Sequence, residues 1–270
     1  MPKRDSKLRA KIRAMNGTPS IAENLTRIRE RIERAASRAG RSTGEITLVA
    51  VSKTHPAERI REAYRAGVRH LGENRVQEWE SKYASLSDLD AVWHLIGHLQ
   101  SNKVNRAARL FHSVDSVDAV ALADRLDRAR EEFTTEGAEE AEKKRAGIRS
   151  PDAAGIVRLR VLVEVKLDPG AAKSGVGEEQ VPRLVETVLR LPHLELRGLM
   201  GVPPYLEDAE KVRPYFRRLC KLRDKLRTQI GGGTLPVLSM GMSHDFEVAI
   251  EAGATEIRIG TALFGAREKG

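Results

Sequence analysis

A lysine, two hydroxyl-bearing turns and an arginine are the residues of this chain whose types and spacing suit joint chemistry. Lys53 ends the run Ile46-Thr-Leu-Val-Ala-Val-Ser-Lys53, and Thr54-His55-Pro56 breaks the pattern directly after it. An apolar, partly β-branched run of this kind reads as a buried strand carrying an ammonium group to the rim of a sheet or barrel. An amine beside an apolar wall loses basicity and becomes a nucleophile; a strand-end lysine also simply reaches out to solvent. Ser239-Met240-Gly241-Met242-Ser243-His244-Asp245 and Arg258-Ile259-Gly260-Thr261-Ala262 follow two later strand-like runs. Ser243, next to Met242, is expected to cap the following helix and leave backbone N–H groups free at its start. Gly260 lets backbone approach a ligand, and Thr261 offers a hydroxyl and an N–H. Two such turns side by side make an anion cradle, although each alone also serves as an ordinary strand–helix turn.

The elements that must position these groups alternate. Strand-like runs fall near 46–52, 69–73, 92–97, 110–115, 159–167, 195–202, 236–241 and 256–260. Helical patterns fall at 57–66, 74–84, 101–108, 118–130, 178–191, 206–229 and 244–252. Strands that alternate with helices pair in parallel, because a parallel neighbour needs a crossover. Eight such units predict a single-domain α/β fold, a closed (β/α)8 TIM barrel, with an open doubly wound sheet as the competing architecture. Little chain follows the eighth strand, so a helix over 21–39 is expected to complete the outer ring. Residues 1–17 read as a flexible basic arm, residues 18–270 as the barrel domain. The charged stretch 131–156 reads as a solvated helix extension and loop. In such a barrel the site lies at the C-terminal ends of the strands, and phosphate is often held after strands seven and eight. Strands one and eight are neighbours, so Lys53 and the cradle come together.

Bulk properties narrow the function classes. The chain has 270 residues, with 40% hydrophobic, 31% charged and 4% aromatic content. Its one cysteine, Cys220, excludes an internal disulfide and suits a reducing, cytoplasmic setting. No apolar run approaches the length of a membrane span. The net charge of +9 raises polyanion binding. Much of the excess, however, lies in the arm and on one face of the amphipathic stretch 211–227, with no nucleic-acid signature beside it. The turn Gly260-Thr-Ala-Leu-Phe-Gly265 is followed by Ala266-Arg267, which excludes a P-loop, and Gly175-Val-Gly177 lacks the third glycine of a dinucleotide turn. His94 and His98 have no Cys or carboxylate cluster beside them in sequence, so no metal site is expected. Asn74 closes the second strand and either meets a ligand or caps the next helix. Lys103 and Lys173 are loop cations that either widen the positive potential or face solvent.

An amine, a phosphate cradle and an arginine at one mouth suit pyridoxal 5′-phosphate. Arg258 and Gly260 share strand parity, so the guanidinium is placed to reach the pyridine nitrogen. An arginine keeps its proton, which leaves that nitrogen unprotonated and the ring a weaker electron sink.

The segments Ala50-Val-Ser-Lys-Thr54, Gly72-Glu-Asn74, Trp93-His-Leu-Ile-Gly97, Leu99-Gln-Ser-Asn-Lys103, Lys173-Ser-Gly175, Arg197-Gly-Leu-Met200, Ser239-Met-Gly-Met-Ser243 and Arg258-Ile-Gly-Thr-Ala262 closely resemble the pyridoxal phosphate homeostasis protein family. The resemblance spans about residues 20–267 in the family's order. It implies a barrel like the N-terminal domain of alanine racemase, and a Schiff base between pyridoxal 5′-phosphate and Lys53. It also implies phosphate contacts around Ser243, Gly260 and Thr261, and a pyridine contact from Arg258. Members are regarded as lacking a demonstrated reaction and as buffering or delivering the cofactor, which makes pyridoxal-phosphate-dependent apo-enzymes candidate partners. A monomer is expected. The alternative is an amino-acid racemase, which needs a base on each face of the substrate carbon. Tyr205 is the best internal candidate for the second base, and no stretch of the chain is expected to form the extra domain that supplies it in related racemases.

Overall fold

The computed structural model describes residues 19–135, 157–168, 170, 174–230 and 235–265. Eight strands close into a parallel barrel in chain order. They are β1 (Thr47–Val51), β2 (His70–Glu73), β3 (Val92–Leu95), β4 (Ser113–Val117), β5 (Leu159–Val165), β6 (Leu194–Gly201), β7 (Val237–Met242) and β8 (Glu256–Ile259). β1 pairs with β8 as well as β2, with Val49 opposite Arg258 and Val51 opposite Gly72. That closure removes the open-sheet alternative. The fourth strand lies at Ser113–Val117 rather than 110–115, because the preceding helix runs through Leu110.

The helices are α1 (Ile21–Arg38), α2 (Ala57–Arg65), α3 (Val76–Leu86), α4 (Val104–Leu110), α5 (Val120–Thr135), α6 (Val181–Arg190), α7 (Arg213–Ile230), α8 (Phe246–Glu251) and α9 (Thr261–Phe264). α1 starts at a capping box in which the Glu23 N–H donates to Ser20 Oγ and the Ser20 N–H donates to the Glu23 carboxylate. This pairing satisfies N–H groups that a helix start otherwise leaves open. α1 buries Ile21, Leu25, Ile28 and Ile32. Its Asn24 side chain donates to the Leu263 carbonyl, and Arg31 pairs with Glu247 on α8 at 2.8 Å. α1 thus covers the gap left by the four-residue α9. α5 extends through Thr135, so the first part of the expected extension is helical. The rest of that stretch, the arm at 1–17 and Lys173 lie outside the described residues.

Strand side chains alternate between two interiors, as a closed barrel requires. Ala50, Leu71, Trp93, Leu95, Ile257 and Ile259 join the helices in one continuous apolar shell. Val49, Val51, Val92, Leu162 and Met200 are buried yet stand apart from that shell, in the barrel lumen. Beside them the lumen holds a ladder of polar side chains, and that ladder leads to the site.

Candidate functional site

Lys53 lies in the turn after β1, half-buried, at the parity of the lumen residues Val49 and Val51. The β8 loop lies directly over this strand end. A Cβ built on Gly260 would stand 3.5 Å from the Val51 Cβ, an ordinary contact. Gly260 has φ −108° and ψ −85°, outside the main regions of residues that carry a Cβ. Packing alone does not demand a glycine there, and the missing side chain leaves space at the C-terminal rim. The lysine turn is tied to the same loop from its other side. The His55 and Phe264 rings stack with centroids 4.6 Å apart, and Arg59 Nη2 donates to the Phe264 carbonyl.

Ser243 does not cap α8. The cap position is Asp245, whose carboxylate accepts the Met242 N–H at 2.6 Å. The Ser243 hydroxyl instead accepts the Ala262 N–H from the β8 loop, at 3.3 Å. The two turns expected to form the anion cradle are thereby joined, with Met242, Ser243, Gly260 and Thr261 at adjacent strand ends. Asn74 closes β2 but makes no cap: the α3 cap position is Arg75, without a side-chain bond. The Asn74 backbone is pressed against Gly97, where a Cβ would come within 2.3 Å of the Asn74 carbonyl oxygen.

Arg258 lies inside the lumen, 4% exposed. Its Nη1 donates to Ser239 Oγ at 2.7 Å and its Nη2 to the Gly201 carbonyl at 3.0 Å. These bonds use two of the five N–H donors of a guanidinium. Burial lowers its pKa, while the carboxyl groups of Glu256, Asp115, Glu164 and Asp245 pull the other way. Below it, His94 Nδ1 donates to Asp115 at 2.9 Å, and His94 Nε2 lies 3.0 Å from His70 Nδ1. Burial works against the charged form of His94, but the Asp115 carboxylate overrides it and raises the pKa. Burial and the neighbouring His94 push His70 down to about 4. The Asp115 carboxylate favours the charged form of His94, and charge on His94 in turn disfavours charge on His70. Glu256 is raised by burial and then by repulsion from Asp115.

No sequence neighbour announced these carboxylates; β4 and β8 bring them to His94. His94, Asp115 and Glu256 lie close enough together to share a cation, with ligand atoms within 4.8 Å. Within this group Asp115 is already paired with His94 Nδ1 at 2.9 Å. Glu164 on β5 likewise has no sequence neighbour that marks it as part of the lumen. Burial, then Asp118, raises its carboxyl to about 7. The available signal was parity, since Glu164 shares a strand face with Leu162, and Glu256 shares one with Arg258.

Of the remaining candidates, His98 is exposed and lies 3.7 Å from Asp118, and Lys103 sits in a short 3-10 turn. Cys220 is half-buried on α7, its thiol pKa raised by burial. Tyr205 is 73% exposed, its ring 5.3 Å from that of His244.

A closed parallel barrel with a lysine at the end of its first strand and small-residue turns after its last two defines a class, the alanine-racemase-type barrels. The model of the family described as "Alanine racemase, N-terminal domain" matches residues 24–268. A protein of Aquifex aeolicus named pyridoxal phosphate homeostasis protein is 45% identical over 249 residues, spanning 92% of this chain and 99% of that one. One of the same name from Pseudomonas aeruginosa is 43% identical over 251 residues, 93% and 97% of the two chains. The solved structure of PipY from Synechococcus elongatus with PLP bound superposes with a TM-score of 0.70 at 39% identity, covering 87% of this chain and 100% of that one. This chain belongs to the pyridoxal phosphate homeostasis protein family.

Proposed function

We propose that this protein binds pyridoxal 5′-phosphate through Lys53 and serves pyridoxal phosphate homeostasis as a carrier rather than a catalyst. The observation that carries the proposal is the convergence at one rim of a half-buried amine, two joined hydroxyl-bearing turns and a buried arginine. The donor set fits the group: an amine for the aldehyde, small turns for the phosphate, a permanent cation for the ring. The names of the relatives and the PipY structure with PLP bound support the same reading. When bound, the cofactor would supply an aldehyde, an electrophile that a primary amine can capture. Lys53 would be that amine. Ser243 and Thr261 would hold the phosphate with the glycine backbone at Gly260, and Met242 and Asn74 would close the rim. Arg258 would donate to the ring nitrogen and, since it keeps its proton, leave that nitrogen unprotonated. That partner favours holding the cofactor over stabilising a carbanion on it.

Tyr205 fits a second catalytic base poorly, because it is exposed and lies against His244 rather than in the lumen. Loaded protein given single-enantiomer amino acids should show no steady racemisation; turnover lost in Tyr205→Phe would overturn the carrier reading. Binding itself is tested by borohydride trapping. Wild type mixed with pyridoxal 5′-phosphate should become visibly absorbing, and reduction should fix the cofactor on the peptide that contains Lys53. Lys53→Ala should give neither signal. A wild type that stays colourless and unlabelled would refute the proposal.

A further inference from the structure

The turn that carries Lys53 is bracketed by an internal ion cluster to which the proposed chemistry gives no role. Lys82, on α3, reaches back beneath the end of β1. Its ammonium donates to the Ser52 carbonyl at 3.2 Å, to Glu73 Oε1 at 3.0 Å and to Glu78 Oε1 at 2.8 Å. An ammonium has three N–H donors, and all three are used. Glu73 Oε1 also accepts the Ser52 hydroxyl at 2.8 Å. Glu78 Oε1 also accepts the backbone N–H of Thr54. Thr54 holds φ at +66°, a left-handed value that a β-branched residue rarely adopts without support.

The positions of these bonds matter more than their number. The Ser52 carbonyl belongs to the peptide unit just before Lys53, and the Thr54 N–H to the unit just after it. Both peptide planes flanking the Lys53 Cα are therefore held, one by Lys82 directly and the other by Glu78, which Lys82 itself holds. Two fixed planes set the backbone angles of the residue between them, and so set the direction in which its side chain leaves the chain. The cluster is also shielded. The side chain of Lys82 is 12% exposed, that of Glu73 0% and that of Glu78 22%. Shielding keeps these bonds from exchanging freely with water. Glu73 shows the tension: burial raises its carboxyl, and Lys82 is the main influence pulling it back down. Burial would also raise Glu78, but the bonds from Lys82 and the Thr54 N–H bring it below its ordinary value.

We propose that Lys82, acting with Glu78, is a positioning residue for Lys53, fixing the turn so that the amine meets the aldehyde of a bound cofactor. The inference rests on Lys53 being the attachment point. Lys82 does not bond the cofactor; it acts through the two peptides beside Lys53. A phosphate cradle built on β7 and β8 does not depend on it. Aldehyde capture and phosphate binding should therefore separate.

The test compares two ligands on the full chain, pyridoxal 5′-phosphate and pyridoxine 5′-phosphate. The second carries an alcohol in place of the aldehyde, so Lys53 cannot capture it. Lys82→Met keeps the apolar stem and removes the charge. It should weaken binding of the aldehyde by about 10- to 100-fold, the cost of a misplaced reacting group, and slow borohydride trapping at Lys53. Binding of the alcohol should change by less than about twofold. Glu78→Ala should repeat the pattern, and Glu78→Gln, which keeps an acceptor for the Thr54 N–H, should lie near wild type. If Lys82→Met fails to fold, Glu78→Ala decides alone, because Glu78 is the more exposed partner. Wild-type capture in both Lys82→Met and Glu78→Ala would overturn the inference. So would an equal loss for both ligands, which would mark a general structural role. A wild type that binds the alcohol but is never trapped at Lys53 would instead overturn the function reading on which the inference rests.

Discussion

Glu164→Gln should change how the stability of this protein depends on pH. Glu164 is buried, and its Oε2 has no hydrogen-bond partner among the described residues. Burial first, and the charge of Asp118 second, raise its carboxyl from 4.5 to about 7, with Arg258 pulling in the opposite direction. The folded chain thus keeps a proton that the unfolded chain releases. Between those two values folding takes up a proton, so stability must fall as pH rises through the window. Each pKa unit corresponds to about 1.36 kcal/mol. Integrated from pH 5 to pH 8, this single group should cost the wild type about 2–3 kcal/mol. Glutamine has the same shape and cannot ionise. The variant should lie close to wild type near pH 5 and exceed it by about 2–3 kcal/mol at pH 8. Urea titrations of the ligand-free protein at pH 5, 6, 7 and 8 would measure this, followed by the fluorescence of the buried, stacked Trp79 and Trp93. Comparing the two proteins cancels every titration they share. A gap that is the same at pH 5 and pH 8 would refute the reasoning. A wild type that gains on the variant as pH rises would mean that Glu164 is ionised and paired with Arg258 instead.

The remaining predictions concern the lumen cation and the rim. Arg258→Met should leave Glu256, Asp115 and Glu164 without the guanidinium among them, at a cost of about 3–5 kcal/mol. The loss should be smaller at pH 5 than at pH 8, since Glu164, raised to about 7, needs no cation when protonated; equal losses at both pH values would contradict this. Gly97→Ala must push against the Asn74 backbone, 2.3 Å from the new Cβ. It should cost about 2–3 kcal/mol, read as a drop of several degrees in Tm; a Tm within about a degree of wild type would show that the strand ends yield there.

The elements were legible because each answers to a local rule. β1 announced itself by β-branched residues ahead of Lys53, and α1 by apolar residues at helical spacing after Ser20. The alternation of strands and helices called for parallel pairing, and eight units called for closure. Closure then placed β8 beside β1, so the position of the Gly260 turn over the end of the strand that leads to Lys53 followed from strand order alone. The error at Ser243 has a local origin too. A serine before a helix is a good cap on sequence grounds, but Asp245 is nearer the helix start and Ser243 has a second N–H within reach. That N–H belongs to Ala262, 19 residues away in the chain.

Glu78 and Lys82 show where sequence reading stops. Four residues apart on a helix, they look like a solvated surface pair. Only the docking of α3 under the end of β1 turns them inward, where Ser52, Thr54 and Glu73 complete the cluster. His94, Asp115, Glu164, Glu256 and Arg258 make the same point across the lumen. They come from β3, β4, β5 and β8, and their charges shift one another because they share a space from which water is largely excluded. The sequence by itself determined the barrel, the strand that leads to Lys53 and the adjacency of that strand to the last one. These follow from periodicity, parity and chain order, which are local properties. The tertiary structure alone decided the ion cluster around the Lys53 turn and the pKa shifts of the lumen groups. Those depend on distances between residues far apart in sequence and on burial, and both exist only once the barrel has closed.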